Sequence, residues 1–555
     1  MKFRFPLFLI FITIGLLSCK PEEQKFENSM NDIEAKINQF AKTEIKYDES
    51  LLNDNQKEVI NKLFEAAKII DEIFLNQVYH KNLELKNELR NSSNPQDKQL
   101  LEYFNIMFGP FDRLDHNKPF YGNEQKPKGA NFYPPDMTKE EFENWIKNHP
   151  EDEDAFTSEF TVIRRDGDKL KAIPYTEYYK PQLTQIITLM NEAAEYADNP
   201  SLKNYLITRA KAFETNDYFE SDMAWMDLKN HAIEIIIGPY EVYEDELFNY
   251  KAAYECFLTI VDPKETAKLE KFASYLTEME ENLPLPDEHK NFERGSESPI
   301  VVVQEIFSAG DTKAGVQTLA FNLPNDERVR AAKGSKKVML KNIHEAKFEK
   351  LLFPIAEKVL REEDLKYVTF DGFFNHTLMH EMSHGIGPGF IKVDGRDTEV
   401  KKELKETYSK LEECKADILG MFNNIYMIEK GVFPREFEKE IWATFLAGVF
   451  RSVRFGINEA HGGGTAIIYN YLLENGGYEF DETSQTVSVN YEKIYPALKN
   501  LANKILIIQA TGNYEEAKNT ISKYGIESPS MKILIEKLKE LPIDINPQFA
   551  IENNN

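Results

Sequence analysis

The sequence predicts a mainly α protein with a small β element, α+β in class, built as more than one lobe. Three observations carry this. The chain has 555 residues, beyond the size at which one hydrophobic core stops growing. Apolar residues recur at helical spacing over most of its length. A single stretch, 300–340, reads instead as short β-rich runs between glycines and charged turns. Hydrophobic residues make up 42% and aromatics 12% of the chain, a composition with ample material for burial and unlike that of disordered chains.

The N-terminus reads as a targeting segment. Lys2 and Arg4 precede an apolar run from Phe5 to Leu17, too short for a permanent membrane span. We expect a signal peptide over 1–18. Leu16-Leu17-Ser18-Cys19 resembles the lipobox of bacterial lipoproteins, in which the cysteine is lipidated; the bland reading is a plain secretory signal. The expectation is an exported lipoprotein of the cell envelope, on the periplasmic or outer-membrane face, anchored at Cys19. No later segment reaches the ~18 consecutive apolar residues that would add a second anchor. Cys256 and Cys414 lie far apart and imply no disulfide framework.

Residues 19–50 stay polar, as a tether would, and the fold is expected from about Leu51. Val59, Leu63, Ala67, Ile70 and Phe74 then mark one helix, and Thr138 with Glu141 makes a capping box ahead of Phe142, Trp145 and Ile146. Further amphipathic runs cover about 181–197, 200–215, 264–281, 346–361, 402–430 and 436–455. The β-rich runs are Ile300–Val303, Val316–Leu323 and Val338–Leu340. There is no repeat of 20–50 residues. A formal net charge of -26 repels nucleic acid and anionic headgroups, so neither is an expected partner.

The chemistry concentrates at 375–389, NHTLMHEMSHGIGPG. His380 and His384 are four residues apart, so both imidazoles leave one helical face and can share a metal. Glu381 lies 100° around the helix from His380, placed to act on a water at the metal as general base. An HExxH pattern arises by composition about 0.02 times in such a chain. His376, four residues before His380, forms a rival pair without an adjacent Glu and reads as a packed or supporting residue. A catalytic zinc needs a third ligand and an open position. Glu413, in the helical stretch LEECKAD, supplies it, and Asp417 and Glu412 can orient the ligand histidines through their free nitrogens. Taken alone those acids would be an ordinary solvated helix face.

HEMSH followed by EECKAD resembles the dipeptidyl peptidase III family of zinc exopeptidases, peptidase family M49. Three further segments are similar in order: Tyr240 in GPY ahead of Tyr254-Glu255-Cys256-Phe257, then Phe321-Asn322-Leu323-Pro324-Asn325-Asp326, then Glu459-Ala460-His461. The resemblance implies two lobes separated by a wide cleft, a helical upper lobe carrying one zinc and a lower lobe around a small β-barrel. The corresponding division is 51–264, the 300–340 strands and about 511–555 for the lower lobe, and 265–299 with 341–510 for the upper. It also implies release of dipeptides from the N-terminus of short peptides, with zinc-bound water activated by Glu381, catalytic roles for Tyr240 and His461, and substrate binding by Glu255, Asn322 and Asn325. Read without the resemblance, those five are a core tyrosine, turn residues and a helix histidine. The family's usual motif is HExxGH, one residue longer, and Gly462-Gly463-Gly464 stands where better-known members carry longer side chains. The rivals are a zinc hydrolase of the same fold acting on another amide or peptide, and a noncatalytic peptide-binding lipoprotein, against which the intact Glu381 speaks.

Overall fold

The computed structural model describes residues 32–292 and 299–553; the signal segment and Cys19 lie outside the described residues. Two separate hydrophobic cores organise the molecule. The first takes most of its side chains from before Val261, together with strand residues from 301–340 and Ile545, Phe549 and Ile551. The second is helical and draws on Leu269–Leu285 and then Leu352–Leu538. The chain thus enters each core more than once, and the two lobes are interleaved in sequence.

The lower lobe is built on five strands: β1 (Ile233–Glu241), β2 (Ala253–Val261), β3 (Ile300–Gly310), β4 (Ala320–Leu323) and β5 (Lys336–Leu340). They hydrogen-bond in the order β1-β2-β3-β5-β4, antiparallel except for the β3/β5 pair. The register puts successive side chains on opposite faces. Val301, Val303, Val338 and Leu340 accordingly join the lower core while Val302 and Met339 between them join the upper one, so this part of the sheet is the floor shared by both lobes. The described ladder does not close into a barrel, but its ends curl together. Asn325, just past β4, donates to the Tyr240 carbonyl at 3.1 Å on β1, and Phe321 stacks on Phe257 with ring centroids 4.2 Å apart.

The helix expected from Val59, Leu63, Ala67, Ile70 and Phe74 spans Asp54–Val78 with all five buried, opened by a reciprocal cap between Asn53 and Gln56. Thr138 caps Lys139–Asn148 by accepting from Glu141 N. Three local expectations need correction. The tether of 19–50 gives way at 32 to a short helix and to the strand Phe40–Ile45, which pairs in parallel with Asp544–Phe549. The return to the lower lobe comes after Leu538 rather than near 511: Ala517, Tyr524, Met531, Leu534 and Leu538 fill the helical core. Of Val316–Leu323, only Ala320–Leu323 forms a strand, because Gln317 spends its N–H on Asp544 instead of on a ladder.

Candidate metal centre and substrate cleft

Four helices of the upper lobe frame the centre: α1 (Phe370–His384), α2 (Tyr408–Glu429), α3 (Phe437–Val453) and α4 (Ala460–Glu474). Thr369 caps α1 through Gly372 N. Its far end is held by Lys415 of α2, whose ammonium donates to the carbonyls of His384 at 3.3 Å and Ile386 at 3.1 Å. The helices approach closely where side chains are missing. A Cβ on Gly420 of α2 would stand 3.0 Å from His380 N, and one on Gly464 of α4 would stand 2.8 Å from Cys414 N. Gly463 and Gly464 therefore let α4 lie against Lys410 and Cys414 of the helix carrying Glu413, while Gly462 faces the backbone of Ser452 and Gly456.

His380, His384 and Glu413 converge, each offering a ligand atom within 4.8 Å of the others. His380 Nδ1 lies 2.7 Å from Asp417 Oδ1 and His384 Nδ1 lies 3.0 Å from Glu412 Oε1. Each carboxylate fixes the ring proton on Nδ1 and leaves Nε2 with its lone pair. The two Nε2 atoms face each other at 3.2 Å, and the buried Glu413 Oε2 beside them meets no hydrogen-bond donor at a bonding angle. Two imidazole nitrogens and a carboxylate oxygen aimed at one point fit a divalent cation. His376 stays outside this donor set; its ring packs on Phe445 at 4.6 Å, and burial pushes its pKa down to about 4.

The supporting acids are themselves held. Burial opposes charge on Glu412, but Lys415 at 2.8 Å, with His384, outweighs it and brings the pKa to about 2. Gln509 donates to its other oxygen at 3.0 Å. Burial likewise opposes charge on Asp417, and His380 beside it turns the balance so that its pKa is lowered; Thr465 of α4 contacts its second oxygen at 3.4 Å. Lys415 and Thr465 carried no sequence signal beyond their nearness to the motifs, and Gln509, 97 residues from Glu412, carried none.

Glu381 and His461 line a cleft of about 830 Å³ that runs from this centre to the lower lobe, with Thr377, Phe373, Phe445 and the 316–320 segment among its walls. His461 Nδ1 is 3.0 Å from Glu413 Oε2, with 67% of its side chain exposed. The remaining predicted residues stand apart from the metal donors, at one end of the lower-lobe sheet. Glu255 of β2 is 3% exposed with no hydrogen-bond partner among the described residues, and burial first, then Asp311 and Glu241, raise its pKa well above the carboxylate range. Its cross-strand neighbours are Gly238 and Gly310, so the two positions directly opposite it carry no side chain. Asn325 is exposed and bonded to the Tyr240 carbonyl and, at 3.3 Å, to Glu241. Tyr240 is 6% exposed, its hydroxyl without a hydrogen-bond partner among the described residues, and it does not line the cleft beside the metal donors. Asn322 faces solvent on β4 opposite Lys337, whose ammonium donates to the Glu381 carbonyl, so this strand borders the metal helix.

The model of peptidase family M49 matches residues 138–400. The chain is 40% identical over 555 residues to "Nudix hydrolase 3" of Arabidopsis thaliana, covering 90% of this chain and 71% of that protein. With "Dipeptidyl peptidase 3" of Nematostella vectensis it shares 24% identity over 405 residues, 62% of this chain and 54% of that one. The solved structure of DPP III from Caldithrix abyssi superimposes with a TM-score of 0.93 at 68% identity, over 94% of this chain and 99% of that one. Dipeptidyl-peptidase III from Corallococcus sp. strain EGB gives 0.81 at 42%, over 95% and 98%. Fold, donor set and likeness together define a peptidase of the metal-dependent class. The chain belongs to the dipeptidyl peptidase III family, peptidase family M49.

Proposed function

We propose that the chain is a zinc exopeptidase that releases dipeptides from the N-terminus of short peptides. The observation that carries this reading is the pairing of a three-donor centre with a separate, buried and uncompensated carboxylate on the facing lobe. His380, His384 and Glu413 would hold the zinc, which when bound supplies a Lewis acid that polarises a carbonyl and acidifies water.

Glu381 accepts the attacking water's proton and delivers it to the leaving amine. Asp417 and Glu412 keep the ligand rings in one tautomer and orientation. His461, exposed beside Glu413, is placed to donate toward the developing oxyanion, a role typically worth ~3–4 kcal/mol. Tyr240 would share that role in a substrate complex, which requires the lobes to approach, since its hydroxyl lies in the lower lobe. Glu255 and the Asn322 and Asn325 amide oxygens receive the substrate's ammonium. With Glu241 and Asp311 nearby, a bound cation relieves carboxylate repulsion in a poorly solvated place. The outer strand β4 is last in its ladder and can pair with an extended substrate. Two residues at ~3.3 Å each then separate the fixed terminus from the cut bond.

Mass spectrometry of products from free and N-acetylated peptides tests this. Dipeptides from the free peptides alone, and only in zinc-loaded protein, are expected; equal cleavage of acetylated peptides or scattered internal cuts would mean another hydrolase. We also propose envelope anchoring through a lipid on Cys19, supported by Lys2, Arg4 and the apolar run before it. A Cys19→Ala chain that still sediments with membranes after salt washes would refute it.

A further inference from the structure

The last turn of α1 carries Glu381. Gly385 N–H, which would close an α-helical turn onto the Glu381 carbonyl, donates instead to the Met382 and Ser383 carbonyls. The Glu381 carbonyl is thus released from the helical ladder, one of the orphan acceptors of a helix end. Two lysines serve this end, where a cation also suits the helix dipole. Lys415 of α2 donates to the His384 and Ile386 carbonyls at 3.3 and 3.1 Å. Lys337 of β5 donates to the Glu381 carbonyl itself. The first tie lies within the upper lobe, and the second crosses to it from the lower one.

The sheet explains why a lysine can cross there. Side chains alternate along β5. Lys336 pairs with the buried Glu234 of β1 at 3.3 Å, whereas Met339 joins the upper core. Lys337, two residues before Met339, shares its face. In the antiparallel register Lys337 stands opposite Asn322 of β4, and side chains so placed have Cβ atoms about 4.5–5.5 Å apart. One residue of β5 therefore holds the backbone of the proposed base and neighbours the strand proposed to pair with the substrate.

We propose that Lys337 is a positioning residue for the reaction: it fixes the Glu381 backbone against β4, so that the base and the bound peptide are referred to one rigid sheet. This rests on the reading of Glu381 as base and of β4 as the substrate's strand. A catalytic group must stay within about 0.5 Å of its working place, and a misplacement of about 1 Å can cost ~10²-fold in rate. Without the ammonium the Glu381 carbonyl turns to water, and the last turn of α1 is no longer tied to the sheet by this contact. Lys415 still holds the helix end, and Asp417 and Glu412 still hold the ligand histidines. The loss therefore falls on the base and not on the metal.

The test uses the zinc-loaded full chain and a free pentapeptide with uncharged side chains. Lys337→Met keeps the stem and removes the donor. Elemental analysis should find metal bound as in the unaltered chain, with KM within about twofold and kcat lowered ~10- to 100-fold. Lys337→Arg should restore most of kcat, because a charged donor reaches the carbonyl again. A double-mutant cycle with Glu381→Gln separates positioning of the base from general support of the fold. A group that acts through the base has little left to lose in the Glu381→Gln background, so Lys337→Met should lower kcat little further there. An unchanged kcat in Lys337→Met, a loss that Lys337→Arg leaves in place, or an equal fold-loss in both backgrounds would overturn the proposal. Should Lys337→Met not fold, Lys337→Gln, shorter and uncharged, gives the same decision. Full turnover in Glu381→Gln would withdraw the base and the proposal together, whereas an equal fold-loss beside a crippled Glu381→Gln strikes the role of Lys337 alone.

Discussion

Replacing Gly464 by Ala should damage the metal centre without touching any ligand. A Cβ there would lie 2.8 Å from Cys414 N, 3.0 Å from Lys410 O and 3.3 Å from Cys414 Cα, where ordinary contact begins at 3.4 Å. All three obstacles are backbone atoms of α2 in the turn that bears Glu413, so no side chain can swing away. Helix α4 must retreat by about 0.5 Å, which equals the positional tolerance of a working constellation. Overpacking of this kind costs about 1–3 kcal/mol, and the same retreat draws Thr465 from Asp417 and His461 from Glu413. Urea unfolding should therefore show a loss in that range, with metal affinity by chelator competition and kcat/KM both reduced at least tenfold. Gly448→Ala is the matched control: Gly448 lies within α3, the Cβ of an alanine there would meet nothing within 4 Å, and the exchange should stabilise the helix by about 0.5–1 kcal/mol. A Gly464→Ala chain with unaltered stability, metal affinity and turnover would refute the view that this glycine face sets the spacing of the centre.

Glu381→Gln should keep one metal per chain while kcat falls by ~10²–10⁴; elemental analysis and initial rates check both halves, and retained turnover would remove Glu381 as the base. Glu413→Gln should instead bind metal far more weakly, because the one anionic donor of the set is gone, and normal metal content would show that another group completes the set. Glu305 gives a pH prediction away from the site. Burial raises its pKa to about 8, against opposing contributions from Ser308, Lys313 and Lys347. The folded state then binds a proton that the unfolded state has released between its ordinary pKa of ~4.3 and 8, so stability falls as pH rises through that window. Glu305→Gln should raise the melting temperature at pH 9, by the equivalent of a few kcal/mol, and leave it almost unchanged at pH 4; an equal shift at both pH values would contradict a titrating carboxyl.

Much of the upper lobe was legible because its helices are amphipathic over their own length. The runs at 402–430 and 436–455 correspond to α2 and α3 within a few residues. In the lower lobe β1 and β2 escaped notice. Their sequences, IEIIIGPYE and AYECFLTIV, are buried at all but the last position, and a strand covered on both faces loses the alternation that marks it. Phe40–Ile45 was hidden for a different reason. Its partner Asp544–Phe549 lies at the other end of the chain, and no local pattern in a polar segment announces so distant a pairing.

The two ends of the site differ in the same way, and the difference follows from how each is assembled. The donors of the centre are spaced by helical geometry: His380 and His384 on α1, Glu413 and Asp417 on α2, each pair four residues apart. Such spacing is a property of the local chain, so the sequence alone could bring them together. Glu255, by contrast, acquires its setting across strands: Gly238 and Gly310 opposite it leave space beside it, and the acids that act on it are Glu241 at the end of β1 and Asp311 just past β3. Local periodicity therefore reveals the candidate metal donors, whereas the setting of the proposed substrate-binding carboxylate emerges from register. The family likeness reaches the metal donors and Glu255 alike, but the burial of that carboxylate between two glycines can be recognised only once its neighbouring strands have been placed.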